Sequence, residues 1–107
     1  MANIKTMGQL LLSGFDLEPA EKAIVDNIIR NYDHKISLKC TYDYLQLKLK
    51  KSRRGKAFLH QVNGSLKTSN RIFSSEASEY NLFAALAEVM EKLLHEIEHK
   101  VHKNKTK

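Results

Sequence analysis

The strongest constraint on the fold is an apolar stripe near the end of the chain. Leu82, Leu86, Val89, Met90, Leu93, Ile97 and Val101 recur at steps of three and four. That spacing places them on one side of an α-helix, expected over residues 78–102. Glu88, Glu91, Lys92, His95, Glu98, His99 and His102 fill much of the remaining surface. So clear a stripe must lie against something, and the preceding β-rich half is the obvious partner.

Upstream, residues 9–13 are apolar enough for a buried strand, which Gly14 ends. Pro19 suits the first turn of a helix, where its missing N–H would be unpaired anyway. The helix is expected over residues 19–33, with Ile24, Val25, Ile28, Ile29 and Tyr32 inside and a mixed solvated face of Lys22, Asp26, Asn27, Arg30 and Asn31. Residues 33–39 read as a polar connection.

Residues 41–50 alternate. Leu45, Leu47 and Leu49 point one way, and Tyr44, Gln46, Lys48 and Lys50 the other, the period of a half-buried strand. A turn is expected at residues 51–56 and a third strand at 57–62. Asn63-Gly64 then gives a two-residue hairpin signal, followed by a fourth strand at 65–73 and a polar bridge at 74–78. The expected fold is α+β, in the order β-α-β-β-β-α. Two helices cover one face of a four-stranded sheet, an arrangement like the double-stranded-RNA-binding domain. Leu59 and Leu66 join the three leucines inside; Lys48, Lys50, His60, Lys67 and Arg71 line the open face. Phe58 and Val62 compete with Leu59 for the inner face, and a bulge near Gln61 would reconcile them.

One domain spans the 107 residues, with an ordered core at about 8–103, a loose leader at 1–7 and a basic, frayed tail at 103–107. Eighteen Lys and Arg against 12 Asp and Glu leave a net charge of +6, which favours a polyanionic partner, most often nucleic acid. Cys40 is the single cysteine, so an intrachain disulfide and a thiolate zinc cluster are both excluded. The run Leu10-Leu11-Leu12 is too short for a membrane span or a signal core. A cytoplasmic protein with no cofactor, no small-molecule substrate and no membrane partner is expected.

Lys48, Lys50, Lys51, Arg53, Arg54 and Lys56 put six cations in nine positions, a composition suited to phosphate contact. Tyr42, Tyr44 and Phe58 read as packing residues or isolated surface aromatics more than as platforms for bases. His95-Glu96-Ile97-Glu98-His99 matches H-E-x-x-H, in which two histidines one turn apart hold zinc and the glutamate acts as base. The motif lacks the third ligand that such sites require, although His102 lies one turn further. It reads as a solvated helix face, with no metal and no catalytic residue expected. A zinc hydrolase using His95 and His99 is the alternative from another class. Cys40 with His34 nearby, and four scattered glycines without a phosphate-loop pattern, add no catalytic signal.

The segment Leu59-His60-Gln61-Val62-Asn63-Gly64, then Leu66 and Asn81-Leu82-Phe83-Ala84-Ala85-Leu86, resembles the ribosome hibernation promoting factors, or ribosome-associated translation inhibitors. In that family an L-H-x-N-G-like hairpin precedes a helix opening D-M-Y-A-A-I-D. Gln9-Leu10 with Ser13-Gly14, and Lys92-Leu93 with the lysine-rich helix end, extend the resemblance over about residues 9–103. Asn81 stands where the family has aspartate, Phe83 where it has tyrosine, and Phe15 where a basic residue is common. Gln61 looks like one inserted residue, and the first helix is about one turn short and less basic. The resemblance implies a stress or stationary-phase factor that binds the small ribosomal subunit in its mRNA and tRNA channel and blocks translation. It resembles the short form, without a dimerisation domain, and is expected to be a monomer off the ribosome. On this reading rRNA contacts fall first to Lys48, Lys50, Lys51, Arg53, Arg54 and Lys56. Lys67 and Arg71 come next, then Arg30, Lys92, Lys100 and Lys103. A general structured-RNA-binding module of similar fold is the alternative.

Overall fold

The computed structural model describes residues 9–69 and 71–105, the side chains of 101–105 excepted. The leader at 1–7, and the side chains of Val101, His102 and Lys103, therefore lie outside the described residues. The order is β1 (Gln9–Ser13), α1 (Pro19–Ser37), β2 (Tyr44–Arg54), β3 (Ala57–Lys67), β4 (Ile72–Glu79) and α2 (Leu82–Lys105). This is the expected β-α-β-β-β-α arrangement. The sheet runs β1-β2-β3-β4, with β1 parallel to β2 and the other neighbours antiparallel.

The period-two reading of β2 holds. Leu45, Leu47 and Leu49 are buried, while Lys48 and Lys50 are exposed. The α2 stripe holds too: Leu82, Leu86, Val89, Met90, Leu93 and Ile97 are all buried. They meet Val62, Leu66, Phe73 and Ala77 of the sheet and Val25, Ile29 and Ile36 of α1 in one core. Each fully buried aliphatic side chain contributes about 1.5–3 kcal/mol, so α2 anchors the fold.

Several boundaries differ, each for a packing reason. The first helix does not stop at Asp33 but continues to Ser37, because Ile36 extends the Val25–Ile29 stripe and is fully buried. Glu21 accepts a hydrogen bond from the Glu18 backbone N–H at 3.2 Å and holds the N-terminus. The Tyr42 hydroxyl donates to Asp33, tying α1 to the approach of β2; burial, then this hydrogen bond, raises its pKa. β1 is a strand but not a buried one. All five of its residues are exposed, and it occupies one edge of the sheet.

Asn63-Gly64 is not a hairpin turn. Both residues lie inside β3, opposite Lys48 and Leu47 on one side and Glu76 and Ser75 on the other. Gly64 is needed there because the sheet and α2 approach closely. The β3–β4 reversal lies at 68–71 instead, where the Thr68 N–H donates to the Arg71 carbonyl at 2.9 Å and the Arg71 N–H to Thr68 Oγ1 at 3.2 Å. β4 is displaced accordingly, and the expected polar bridge at 74–78 is strand. The last helix starts at Leu82 instead of Ser78 and runs through Lys105. Asn81 caps it, its side-chain oxygen accepting from the Ala84 N–H at 2.9 Å.

No bulge interrupts β3 at Gln61; its register with β2 and β4 is unbroken. Phe58, His60, Val62 and Leu66 share the helix-side alternation, so Leu59 belongs to the open face and His60 does not. His60 Nδ1 instead lies 2.8 Å from the Tyr80 carbonyl oxygen.

Candidate nucleic-acid interface

A regular β2–β3 hairpin concentrates charge at one end of the sheet. The strands run to Arg54 and from Ala57, and only Gly55 and Lys56 form the turn. Gly55 adopts a φ of 64°, the left-handed conformation that such a turn requires. The cations expected in a loose tip are therefore mostly held on paired strand. Alternation sends Lys48, Lys50 and Arg54 to the open face and Lys51 and Arg53 to the helix side. All five, and Lys56 in the turn, are exposed. The hairpin end is basic on both faces.

The open face behind it is polar. Cross-strand rows run Gln46–Ser65–Ser74, Lys48–Asn63–Glu76 and Lys50–Gln61–Ser78. Gln46, Lys48, Asn63, Ser65, Ser74 and Glu76 line a shallow trough of about 560 Å³. Amide and hydroxyl groups there can donate and accept hydrogen bonds, with Lys48 beside them.

The other expected contacts are not gathered at this end. Lys67 and Arg71 lie at the opposite end of β2–β3, roughly 33 Å away over ten strand residues. Lys67 is already engaged: its Nζ lies 3.8 Å from an Asp43 carboxylate oxygen and donates to the Thr68 carbonyl at 3.2 Å. Lys92 donates to the Glu76 carbonyl at 2.8 Å and pairs with Glu88 at 3.3 Å, which fastens α2 to β4. Arg30 is exposed on α1, and Lys100 is half-buried on α2. A hollow lined by Asp16, Glu18, Glu21 and Lys22 borders Lys51.

Phe58 is the residue whose role the sequence understates. It pairs with Arg53, and both the Arg53 guanidinium and the Lys51 ammonium approach its ring, at 5.6 and 5.7 Å from the centroid. The signal is nonetheless present in the sequence. A turn set at Gly55-Lys56 brings Phe58 opposite Arg53, whereas a six-residue turn hides that relation. Tyr42, by contrast, is buried and Tyr44 half-buried.

The H-E-x-x-H stretch lies on the outer face of α2. His95 and His99 are exposed, and His95 Nε2 lies 3.2 Å from Glu91 Oε2. The other Glu91 oxygen accepts a 2.8 Å hydrogen bond from the Tyr32 hydroxyl, which raises the tyrosine's pKa. Among the described residues no group of three His, Cys, Asp or Glu side chains is placed to hold a metal ion. No described helix is long and apolar enough to cross a membrane.

No protein-family model and no curated protein matches the sequence. Solved structures do match the fold. A ribosomal subunit interface protein from Coxiella burnetii superimposes with a TM-score of 0.57 at 13% identity, over 92% of this chain and 99% of that one. The N-terminal domain of Protein Y from Thermus thermophilus gives 0.55 at 16% identity, over 89% of this chain and 99% of that domain. The chain has the fold of these two proteins. Coverage of 92% and 89% of this chain at so low an identity means that the overall fold is shared while most side chains are not. The basic hairpin must therefore be judged on its own chemistry.

Proposed function

We propose that this chain is a non-enzymatic, ribosome-binding member of the hibernation-factor family. It binds the small subunit, occupies the mRNA and tRNA channel and inhibits translation under stress. The observation that carries this reading is a near-complete fold likeness to a ribosomal subunit interface protein, joined to a hairpin end bearing six exposed cations. A plate of 50 × 35 × 18 Å is suited to entering an RNA-walled channel. Lys48, Lys50, Lys51, Arg53, Arg54 and Lys56 make the first phosphate contacts. Counterion release drives the association, and shape together with charge selects the site.

Co-sedimentation with purified small subunits tests it. The protein is expected in the subunit peak at low salt and to leave it steeply as salt rises. Protein found only at the top of a low-salt gradient overturns the proposal. Equal affinity for free duplex RNA and for subunits would favour a general RNA-binding module in its place.

A further inference from the structure

Phe58 presents an unusual combination. It follows the helix-side alternation of Val62 and Leu66, yet it is 46% exposed. Such a ring is not filling the core. Two cations lie within the range of about 6 Å in which a ring face attracts a positive charge. The Arg53 Nε–H also donates to the Gly55 carbonyl at 3.3 Å, which holds the guanidinium against the turn. Lys51 and Arg53 flank the ring and are themselves exposed. His60, next along the same face, contacts the backbone carbonyl of Tyr80, a residue 60% exposed.

An exposed aromatic ring set among cations matches one ligand chemistry closely. An unpaired nucleotide offers a flat base for the ring and phosphates for the flanking charges. Bases within a duplex are already stacked on each other and offer no free face. We propose that Phe58, flanked by Lys51 and Arg53, is a stacking platform for an unpaired RNA nucleotide. The inference rests on the RNA-binding reading above and adds a contact that shape and charge alone do not supply.

The full chain is tested against short single-stranded oligo(A) and oligo(U), with duplex RNA and polyglutamate as further arms, by fluorescence anisotropy across a salt series. The protein has no tryptophan, so Phe58→Trp introduces a single reporter. Stacking is worth about 1–3 kcal/mol per base, so Phe58→Leu is expected to weaken oligo(A) binding roughly tenfold. The salt slope should stay unchanged, because no cation is lost. Phe58→Trp should bind at least as well, with fluorescence that changes on adding oligo(A). Oligo(A) should bind more tightly than oligo(U). Melting curves check that both variants fold, as substitution of an exposed ring should permit.

Three results overturn the inference while leaving the ribosome reading intact. One is unchanged oligo(A) affinity for Phe58→Leu while Lys51→Ala/Arg53→Ala weakens binding. Another is a Phe58→Leu loss that carries the salt slope down with it, since the ring would then only position the cations. The third is polyglutamate binding as tight as that of oligo(A). Failure of the ribosome reading looks different: the unmodified protein then stays at the top of a low-salt gradient of small subunits, whatever its affinity for oligo(A).

Discussion

A β-carbon placed on Gly64 would lie 2.6 Å from Val89 Cγ1, with Leu93 Cδ1 and Leu47 Cδ2 at 3.2 and 3.3 Å. At the centre of β3, therefore, α2 lies close against the sheet. Gly64→Ala is expected to destabilise the protein by about 1–3 kcal/mol through overpacking. The denaturant midpoint should fall with little change in slope. Unaltered stability would mean that α2 can shift away from β3 at no cost.

That glycine also shows where the sequence misleads. Asn63-Gly64 has the composition of a hairpin turn, but its glycine answers a steric demand made by a helix from a distant part of the chain. Local chemistry cannot distinguish a glycine needed for positive φ from one needed for close approach. A turn assigned there shortens β3, moves β4 and demands a bulge at Gln61 that the continuous register does not need. The long-range periodicities are legible, because the alternation of Leu45, Leu47 and Leu49 and the stripe from Leu82 to Ile97 each repeat a burial requirement many times. Ile36 lies seven residues beyond Ile29 and continues the α1 stripe, but the polar run Asp33-His34-Lys35 before it reads as a connection and hides that continuation. The charge of the hairpin is equally legible; its division between two faces, and its relation to Phe58, require the register.

Gly14 makes a second demand of this kind. Its φ is 81°, and an added β-carbon would run into the Leu49 carbonyl oxygen. Gly14→Ala is strained both ways and should lower the melting temperature more than Gly55→Ala. Gly55 also has positive φ, but among the described residues no atom lies within 4 Å of the point where a β-carbon would stand. Thermal melts of the two variants decide it.

Asn81 is an N-cap whose side-chain oxygen accepts from Ala84, at a helix with no acidic residue in its first turn. Asn81→Ala should cost about 1 kcal/mol. Asn81→Asp keeps the acceptor and adds a negative charge at the positive end of the helix. It should match or exceed the wild-type stability by a few tenths of a kcal/mol, and more at low salt. Chemical denaturation at two salt concentrations separates the cap from the charge.

Glu79 and Glu88 make a carboxyl pair across β4 and α2. The hydrogen bond to Glu88 holds the Glu79 carboxyl above the usual range, and the same bond, then Lys92, holds Glu88 below it. Glu79 should thus titrate at higher pH than Glu88 when side-chain carboxyl shifts are followed by NMR. The linkage signs are opposite. The raised Glu79 favours the folded state at low pH and loses that contribution as pH rises through its folded pKa. The lowered Glu88 favours the folded state at higher pH and loses it as pH falls through its own. Glu79→Gln retains an N–H donor towards Glu88 and should remove the first effect while preserving the second. Both groups are at the surface, so the effect should be read from the titrations.

The sharpest test of the interface concerns the hairpin's two faces. Lys48 and Lys50 stand on the open side with Arg54, while Lys51 and Arg53 stand on the helix side. Each phosphate contact adds about 0.7–0.9 to the slope of log affinity against log salt. If RNA engages both faces, Lys48→Ala/Lys50→Ala and Lys51→Ala/Arg53→Ala should each reduce the slope by roughly 1.5, and the combined variant by roughly 3. A reduction confined to one pair would show that RNA takes only that face. Lys67→Ala, at the far end and paired with Asp43, should change the slope least. Binding of each variant to small subunits across a salt series gives the slopes directly. A larger effect from Lys67 than from either hairpin pair would move the interface to the opposite end of the sheet.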